Sequence, residues 1–411
     1  MPSTPNRIVI VGGGLAGAKA AEALRAAGYD RALTVVADEA HLPYERPPLS
    51  KGYLAGTTTF DDAVVHPERW YADNHVDLRL GTRADELDLA KHAVRLADGS
   101  RLPYDKLLLA TGSTPRRLPL PGADADGVFT LRTREDSDAI RATFGAGRRL
   151  VIIGAGWIGL ETAAAARQAD TEVSVVEVAD LPLLNVLGPE MATVFADLHR
   201  AHGVDLRLGA RLEHITVTDG RATGVALADG SQLAADAVVI GVGVTPNVEL
   251  AEAAGLPVDN GVIVDAALRT TDPDVYAVGD IANHDHPLLG RIRVEHWATA
   301  LNQPAVAAAA MLGRDAAYEE LPYFFTDQYD LGMEYIGHSG LGRYRQVVVR
   351  GDVAGREFVA FWLDGDVRVR AAMAVNVWDV IDEIKPLIAE RLVVEPGELA
   401  DPDVPYAKLG R

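Results

Sequence analysis

Hydrophobic positions along this chain fall into short runs that end in glycine, and the first run sets the pattern. Ile8-Val9-Ile10-Val11 is apolar without a break and leads into Gly12-Gly13-Gly14-Leu15-Ala16-Gly17. A run of this length that ends in glycine reads as a buried strand. Small residues at 18–27 then predict a helix with Glu22 and Arg25 outward, Gly28 ends it, and 32–37 is the next strand. The same order returns later: strand at 149–153, turn at Gly154-Ala155-Gly156-Trp157-Ile158-Gly159, helix at 160–169, strand at 173–176. Between the two, 76–80 and 94–96 with a turn at Asp98-Gly99 predict a short antiparallel element. The stretches 204–208, 215–218 and 223–227, with a turn at Asp229-Gly230, repeat that layout and suggest an internal duplication. Further strands are predicted at 104–109, 238–240, 261–265 and 275–278, and an alanine-rich helix at 297–311. Beyond Tyr318 the pattern changes. The segment 322–329, strand-like segments at 347–350, 357–363 and 367–375 and a helix near 378–391 predict an antiparallel sheet with helical cover.

Both glycine turns read G-x-G-x-x-G, on Gly12, Gly14 and Gly17 and on Gly154, Gly156 and Gly159. The first glycine permits the turn, the second lets a pyrophosphate approach the backbone, and the third lets helix and strand pack closely. The free N–H groups and the positive end of the helix dipole then hold the diphosphate. One such turn can be a tight connection in any α/β domain; two, each between a strand and a helix, imply two bound dinucleotides. The simplest pair that exchanges electrons is a flavin and a nicotinamide. The fold class is therefore α/β, with two Rossmann-like dinucleotide-binding domains and a C-terminal α+β domain. The expected boundaries are 1–115 with 245–318 for FAD, 116–244 for NADH, and 319–411 for the last domain.

Candidate contacts follow from the ends of the strands. Ala37 stands where a ribose-binding acid usually closes the second strand and Asp38 comes one residue later, so Asp38 is a candidate ribose or adenine contact. In the second unit the strand closes on Glu177, a carboxylate placed to accept both ribose hydroxyls. Glu177 would repel a 2′-phosphate, and Asp180, Leu181 and Asn185 supply no arginine for one, so NADH is preferred over NADPH. Ala110-Thr111-Gly112, Gly243 within Gly241-Val242-Gly243-Val244-Thr245-Pro246-Asn247, and Asp280 after Gly279 all lie at strand ends where backbone can approach a ligand. Pro47 and Pro48 stiffen the stretch that carries Arg46, Ser50 and Lys51, with Ser50 expected to cap a short helix beginning at Lys51. That stretch is either a rigid surface loop with a solvated lysine or a segment that turns Arg46 and Lys51 toward the cofactor.

Composition narrows the function. With 411 residues the chain has material for two or three domains. A net charge of -20 disfavours nucleic acid and anionic membranes as partners. The absence of 18 uninterrupted apolar residues and of a signal-peptide pattern points to a soluble cytoplasmic protein. Cysteine is absent, which removes disulfides, thiolate metal sites, cysteine nucleophiles and redox-active pairs together.

With these residues in hand, the chain resembles the flavoprotein ferredoxin reductases of bacterial oxygenase systems, which share the glutathione reductase fold. Apoptosis-inducing factor and monodehydroascorbate reductase are similar as well. The resemblance spans nearly the whole chain: GGGLAG at 12–17, YERPPLSK at 44–51, ATG at 110–112, GAGWIGLE at 154–161, GVGVTPN at 241–247, VYAVGD at 275–280, VEHW at 294–297 and FFTDQY at 324–329. It implies that Lys51 lies beside the flavin ring and pairs with Glu161 near the nicotinamide. It also implies that Asp280 binds the ribityl chain, that the backbone around Glu295, His296 and Trp297 covers the pyrimidine end, that Ala84 holds the adenine, and that Arg132 meets the diphosphate. Phe325 matches an aromatic, often tryptophan, that packs near the flavin in relatives.

The reaction so implied is hydride transfer from NADH to FAD followed by single-electron transfer to an iron-sulfur ferredoxin that feeds an oxygenase. Without cysteine, electrons must leave the flavin directly for an outside acceptor. The alternatives are a small-molecule acceptor such as a quinone, monodehydroascorbate or oxygen, and a redox-sensing flavoprotein. Arg291 and Arg293, with Arg343 and Arg345, are either a basic docking patch for an acidic ferredoxin or ordinary solvated arginines. Whether the chain acts as a monomer or a dimer stays open.

Overall fold

The computed structural model describes residues 4–410, which form two compact units. The first comprises residues up to Arg46, Asp61–Thr114 and Thr245–Pro322. The second comprises Pro47–Phe60, Pro115–Val244 and Tyr323 onward.

The first unit is built on a five-stranded parallel sheet. Its order is Val76–Arg79, Ala32–Val36, Arg7–Val11, Lys106–Leu109, Val275–Ala277. The central strand is the apolar run that opens the sequence, and Ile8, Val9, Ile10 and Val11 are all buried. Helix Leu15–Ala26 begins directly after the glycine turn, one turn earlier than the sequence predicts. Gly17 makes this possible: a Cβ there would sit 2.0 Å from the Gly12 carbonyl oxygen. The strand at 76–79 is a correction. It pairs parallel with Ala32–Val36, and the antiparallel element is built instead from Ala84–Asp88, Ala93–Leu96 and Arg101–Pro103.

The second unit repeats this plan. Its parallel sheet runs Asp205–Arg207, Glu172–Val176, Arg149–Ile153, Ala237–Ile240, Val128–Phe129. A three-stranded antiparallel sheet from Leu212–Thr218, Arg221–Leu227 and Gln232–Ala234 accompanies it, as its counterpart does in the first unit. Four strands stand in the same order around each fingerprint, the layout expected of an internal duplication, whereas the fifth comes from after the fingerprint in the first sheet and from before it in the second.

The C-terminal segment adds an antiparallel sheet in the order Tyr323–Gln328, Leu331–Gly337, Val369–Val375, Glu357–Leu363, Gln346–Asp352. The sequence pattern missed Leu331–Gly337, because six of its seven residues are buried and no alternation shows. The last long helix is Ile381–Ala389, and Trp378 lies outside it, half-exposed, with its ring over Gly332. One core joins this sheet to the second fingerprint helix, with Leu160, Phe195, Phe324, Tyr335 and Trp362 in a single cluster. Trp362 is wholly buried and its indole N–H donates to the Leu187 carbonyl at 3.0 Å, so its polar atom is satisfied. No helix among the described residues is long and apolar enough to cross a membrane.

Candidate active site

The two glycine turns have the geometry of anion cradles. Gly12 has φ +124°, and a Cβ there would lie 2.0 Å from the Ala110 carbonyl oxygen, so no other residue fits. Gly14 is the N-cap of Leu15–Ala26 with no side chain capping the first turn, and a Cβ on it would meet nothing within 4 Å. The space and the N–H groups at that helix end suit a diphosphate. In the second unit Gly154 has φ +103° and lies against the Gly241 carbonyl, Gly159 lies against the Gly154 carbonyl, and Gly156 faces open space. The helix Trp157–Gln168 is likewise uncapped by any side chain. Both turns therefore fit a dinucleotide.

Around the first cradle, the residues singled out in the sequence share one unit. Ala37 is buried and would meet a Cβ on Gly13, while Asp38 is exposed with Arg83 at 4.0 Å. Ala84 is buried at the head of its strand. Thr111 and Asn247 lock the Ala110-Thr111-Gly112 turn through two bonds, Thr111 Oγ1 to the Asn247 carbonyl at 2.7 Å and Asn247 Nδ2 to the Thr111 carbonyl at 2.9 Å. The Asp280 carboxylate accepts from Ser113 Oγ at 2.6 Å. His296 is the N-cap of Trp297–Met311, and the Trp297 indole donates to Glu45 at 3.1 Å. Arg46 pairs with Glu39 at 2.6 Å and donates to the Tyr44 hydroxyl at 2.8 Å. Burial opposes its charge, but Tyr44, Glu39 and Asp280 outweigh that and raise its pKa.

The second unit carries Glu177, Gly243, Arg132, Trp157, Ile158 and the Lys51–Glu161 pair. Glu177 accepts from the Ala155 N–H at 2.7 Å and the Ala179 N–H at 2.9 Å, which fixes a carboxylate at the end of the second strand. Gly243 has φ +98° and its carbonyl accepts from the Arg116 N–H at 2.9 Å. The Arg132 N–H donates to Asp136 ahead of the capping box that Thr133 and Asp136 form for helix Arg134–Arg141. Trp157 packs on Phe195 and Phe324, whereas Ile158 is exposed.

Lys51 and Glu161 meet directly. Lys51 Nζ lies 2.7 Å from Glu161 Oε1, and 5.3 Å from the centre of the Phe325 ring. Glu161 is only 3% exposed, yet its oxygens receive three donors: Lys51, Thr326 Oγ1 at 2.6 Å and Ser50 Oγ at 2.5 Å. The three donors satisfy the buried carboxylate oxygens. Ser50 thus corrects the sequence reading. The N-cap of helix Gly52–Ala55 is Lys51, which makes no side-chain cap bond, and the Ser50 hydroxyl turns to Glu161 instead. Asp327 adds a further acid nearby; burial and the Glu161 charge raise its pKa while Lys51 pulls it down.

Sequence reasoning missed Ser50, Ser113, Glu45 and Thr326 as partners. Thr326 lay within a motif already singled out, and its burial between the half-buried Phe325 and the exposed Asp327 is a tertiary fact. Arg293 requires a correction as a docking charge, whereas Arg291 stays exposed. Arg293 is 6% exposed, pairs with Glu295 at 2.5 Å and donates to the Asp280 carbonyl at 3.0 Å. The Arg291 guanidinium donates to the carbonyls of Val264 and Asn283. These arginines brace the loop that precedes Trp297.

Comparison with known proteins identifies the family. Residues 6–304 match the pyridine nucleotide-disulphide oxidoreductase family model, and residues 323–410 match the reductase C-terminal domain. The chain is 44% identical to the ferredoxin–NAD(+) reductase component of the anthranilate 1,2-dioxygenase system of Burkholderia cepacia, over 96% of this chain and 97% of that one. It is 39% identical to putidaredoxin reductase of Pseudomonas putida, over 98% of this chain and 96% of that one. Among solved structures, putidaredoxin reductase in its covalent complex with putidaredoxin superposes with a TM-score of 0.94 at 38% identity, covering 99% of this chain and 98% of that one. The absence of cysteine separates this chain from the disulphide chemistry in the family's description. The chain belongs to the pyridine nucleotide-disulphide oxidoreductase family, within its group of ferredoxin–NAD(+) reductases that carry a reductase C-terminal domain.

Proposed function

We propose that this protein is an FAD-dependent NADH:ferredoxin reductase that takes a hydride from NADH and delivers single electrons to an iron-sulfur ferredoxin serving an oxygenase. The observation that carries the reading is the pairing of the part-buried Lys51 with Glu161, buried on the second fingerprint helix, in a chain without cysteine. Bound FAD supplies a centre that accepts two electrons together and releases them one at a time. The protein's own residues bind, orient and charge the site. Gly12, Gly14 and Gly17, with Leu15 and Ala16, hold one diphosphate in the segments 1–115 and 245–318. Gly154, Gly156 and Gly159 hold the other in 116–244. Lys51 places its ammonium where negative charge would develop on reduction, and Glu161 pairs with that lysine and aims it. Neither has to move a proton.

Glu177 supports NADH over NADPH. Its carboxylate is already fixed by two backbone N–H groups, so a 2′-phosphate would meet a negative charge that cannot turn away. The nearest strand partner, Arg207, has its guanidinium on Asp205 at 2.8 Å. The ferredoxin assignment is supported by the relatives, which are named as reductase components of oxygenase systems. A cytoplasmic setting suits a cysteine-free enzyme that draws on NADH.

The test is stopped-flow mixing of the flavin-loaded protein with NADH or NADPH, followed by a two-iron ferredoxin. Rapid bleaching by NADH and prompt reoxidation by ferredoxin is the expected result. Bleaching without reoxidation by any ferredoxin would move the assignment to a small-molecule acceptor.

A further inference from the structure

Beyond the ion pair, a line of buried polar groups runs from Glu161 into the C-terminal sheet and back to helix Leu184–Ala201. Thr326 Oγ1 lies 2.6 Å from Glu161 Oε1, Gln328 Nε2 lies 3.1 Å from Thr326 Oγ1, and His199 Nε2 lies 2.8 Å from Gln328 Oε1. Glu161, Thr326, Gln328 and His199 are all buried. Because an ionised carboxylate can only accept, the Thr326 hydroxyl must donate to it and must itself accept from Gln328. That fixes the Gln328 amide with its NH₂ toward Thr326 and its oxygen toward His199. The imidazole must then carry its proton on Nε2. Each bond therefore donates in one direction, toward Glu161. Burial lowers the His199 pKa to about 4, which keeps the ring neutral and able to hold a single tautomer. Its Nδ1 faces the Tyr329 hydroxyl at 3.5 Å, and His202 stacks on the Tyr329 ring with centroids 3.7 Å apart.

Such an arrangement is costly to bury unless every member is satisfied. Packing alone would be served as well by apolar residues of the same shape. We propose that His199, Gln328 and Thr326 are positioning residues for the redox site, a one-way chain of donors that holds the Glu161 carboxylate as a fixed acceptor for Lys51. This rests on the Lys51–Glu161 assignment made above. The C-terminal sheet thereby contributes to the electrostatics of the second fingerprint helix through Thr326 and Gln328, neither of which needs to touch a cofactor.

The test combines kinetics with a readout on the chain itself, both on flavin-loaded protein. Thr326→Val keeps the shape and removes the donor; Thr326→Ser restores the hydroxyl; Gln328→Met keeps the length and breaks the chain. Flavin reduction by NADH is expected to slow about tenfold in Thr326→Val and to recover to within about twofold of wild type in Thr326→Ser, the rate change given by loss of one hydrogen bond to a charged group. In parallel, ¹⁵N NMR of imidazole-labelled protein should show His199 as the Nε2–H tautomer in wild type and as a mixture of tautomers in Gln328→Met. Wild-type rates in Thr326→Val, equal impairment in Thr326→Val and Thr326→Ser, or an Nδ1–H tautomer in wild type would each overturn the proposal. If NADH fails to bleach wild-type flavin, the functional assignment falls, while the tautomer measurement still decides whether the chain exists.

Discussion

Replacing Glu161 with Gln removes one charge and leaves the shape of the site intact. At the 2.7 Å separation of Lys51 Nζ and Glu161 Oε1, an effective dielectric of about 20 gives an attraction of about 6 kcal/mol. Desolvating the two ions offsets much of this, and breaking a buried pair by removing one partner typically costs about 3–5 kcal/mol. Part of the loss is recovered in the Gln variant. Its carbonyl oxygen can still accept from Lys51 and Thr326, and Ser50 can rotate to accept from the new NH₂ group. We therefore expect the flavin-loaded protein to lose about 3 kcal/mol in urea unfolding and flavin reduction by NADH to slow about 10- to 100-fold, equivalent to 1.4–2.7 kcal/mol on the barrier. Lys51→Met and the double variant complete a cycle. A coupling energy under about 0.5 kcal/mol, within the range of independent sites, or bleaching at the wild-type rate, would refute the claim that the pair works as a unit.

Gly154→Ala places a Cβ 2.4 Å from the Gly241 carbonyl oxygen at φ +103°, so we expect a loss of at least about 1–3 kcal/mol from backbone strain and loss of NADH binding with FAD retained, read by unfolding and by flavin content. Glu177→Gln should raise the KM for NADH about 10-fold or more, through loss of charged acceptors worth about 1.5–3 kcal/mol each, and narrow the gap between NADH and NADPH; an unchanged ratio would remove Glu177 from selectivity. His199 gives a pH signature. The unfolded chain takes up its proton near 6.5 and the folded chain only near 4, so acid favours unfolding between those values and the contribution is complete above 6.5. The size is about 3 kcal/mol, and His199→Leu should flatten the stability profile by that share between pH 6.5 and 4. His284, also lowered to about 4 by burial, supplies a second share that this variant leaves in place.

The sequence by itself determined the two glycine turns, because each is made from contiguous residues under a local steric rule. Gly12, Gly14 and Gly17 occupy one turn, and so do Gly154, Gly156 and Gly159; side chains at their positions would strike backbone oxygen or fill the space at the helix end. The acids that close on these turns, Glu177 and Asp280, were legible for the same reason, since a strand end fixes where the next residue stands. The repeated strand, turn and helix order also exposed the duplication that the two sheets display.

Only the tertiary structure decided which residues complete Glu161. Ser50 is 111 positions away and Thr326 is 165, and neither has a spacing that would link it to a helix elsewhere. Ser50 followed two prolines and matched a helix cap as well as it matches a carboxylate donor; the choice was made by the approach of the second fingerprint helix. The strand at 76–79 carried an apolar pattern that suits a parallel or an antiparallel neighbour, and its pairing depended on where the chain returned. Arg293 was readable as a docking charge until its guanidinium was seen on Glu295 and the Asp280 carbonyl. Local sterics act between neighbours in sequence and can be read from it. Satisfaction of buried charge is settled among groups that meet only when the sheets have packed.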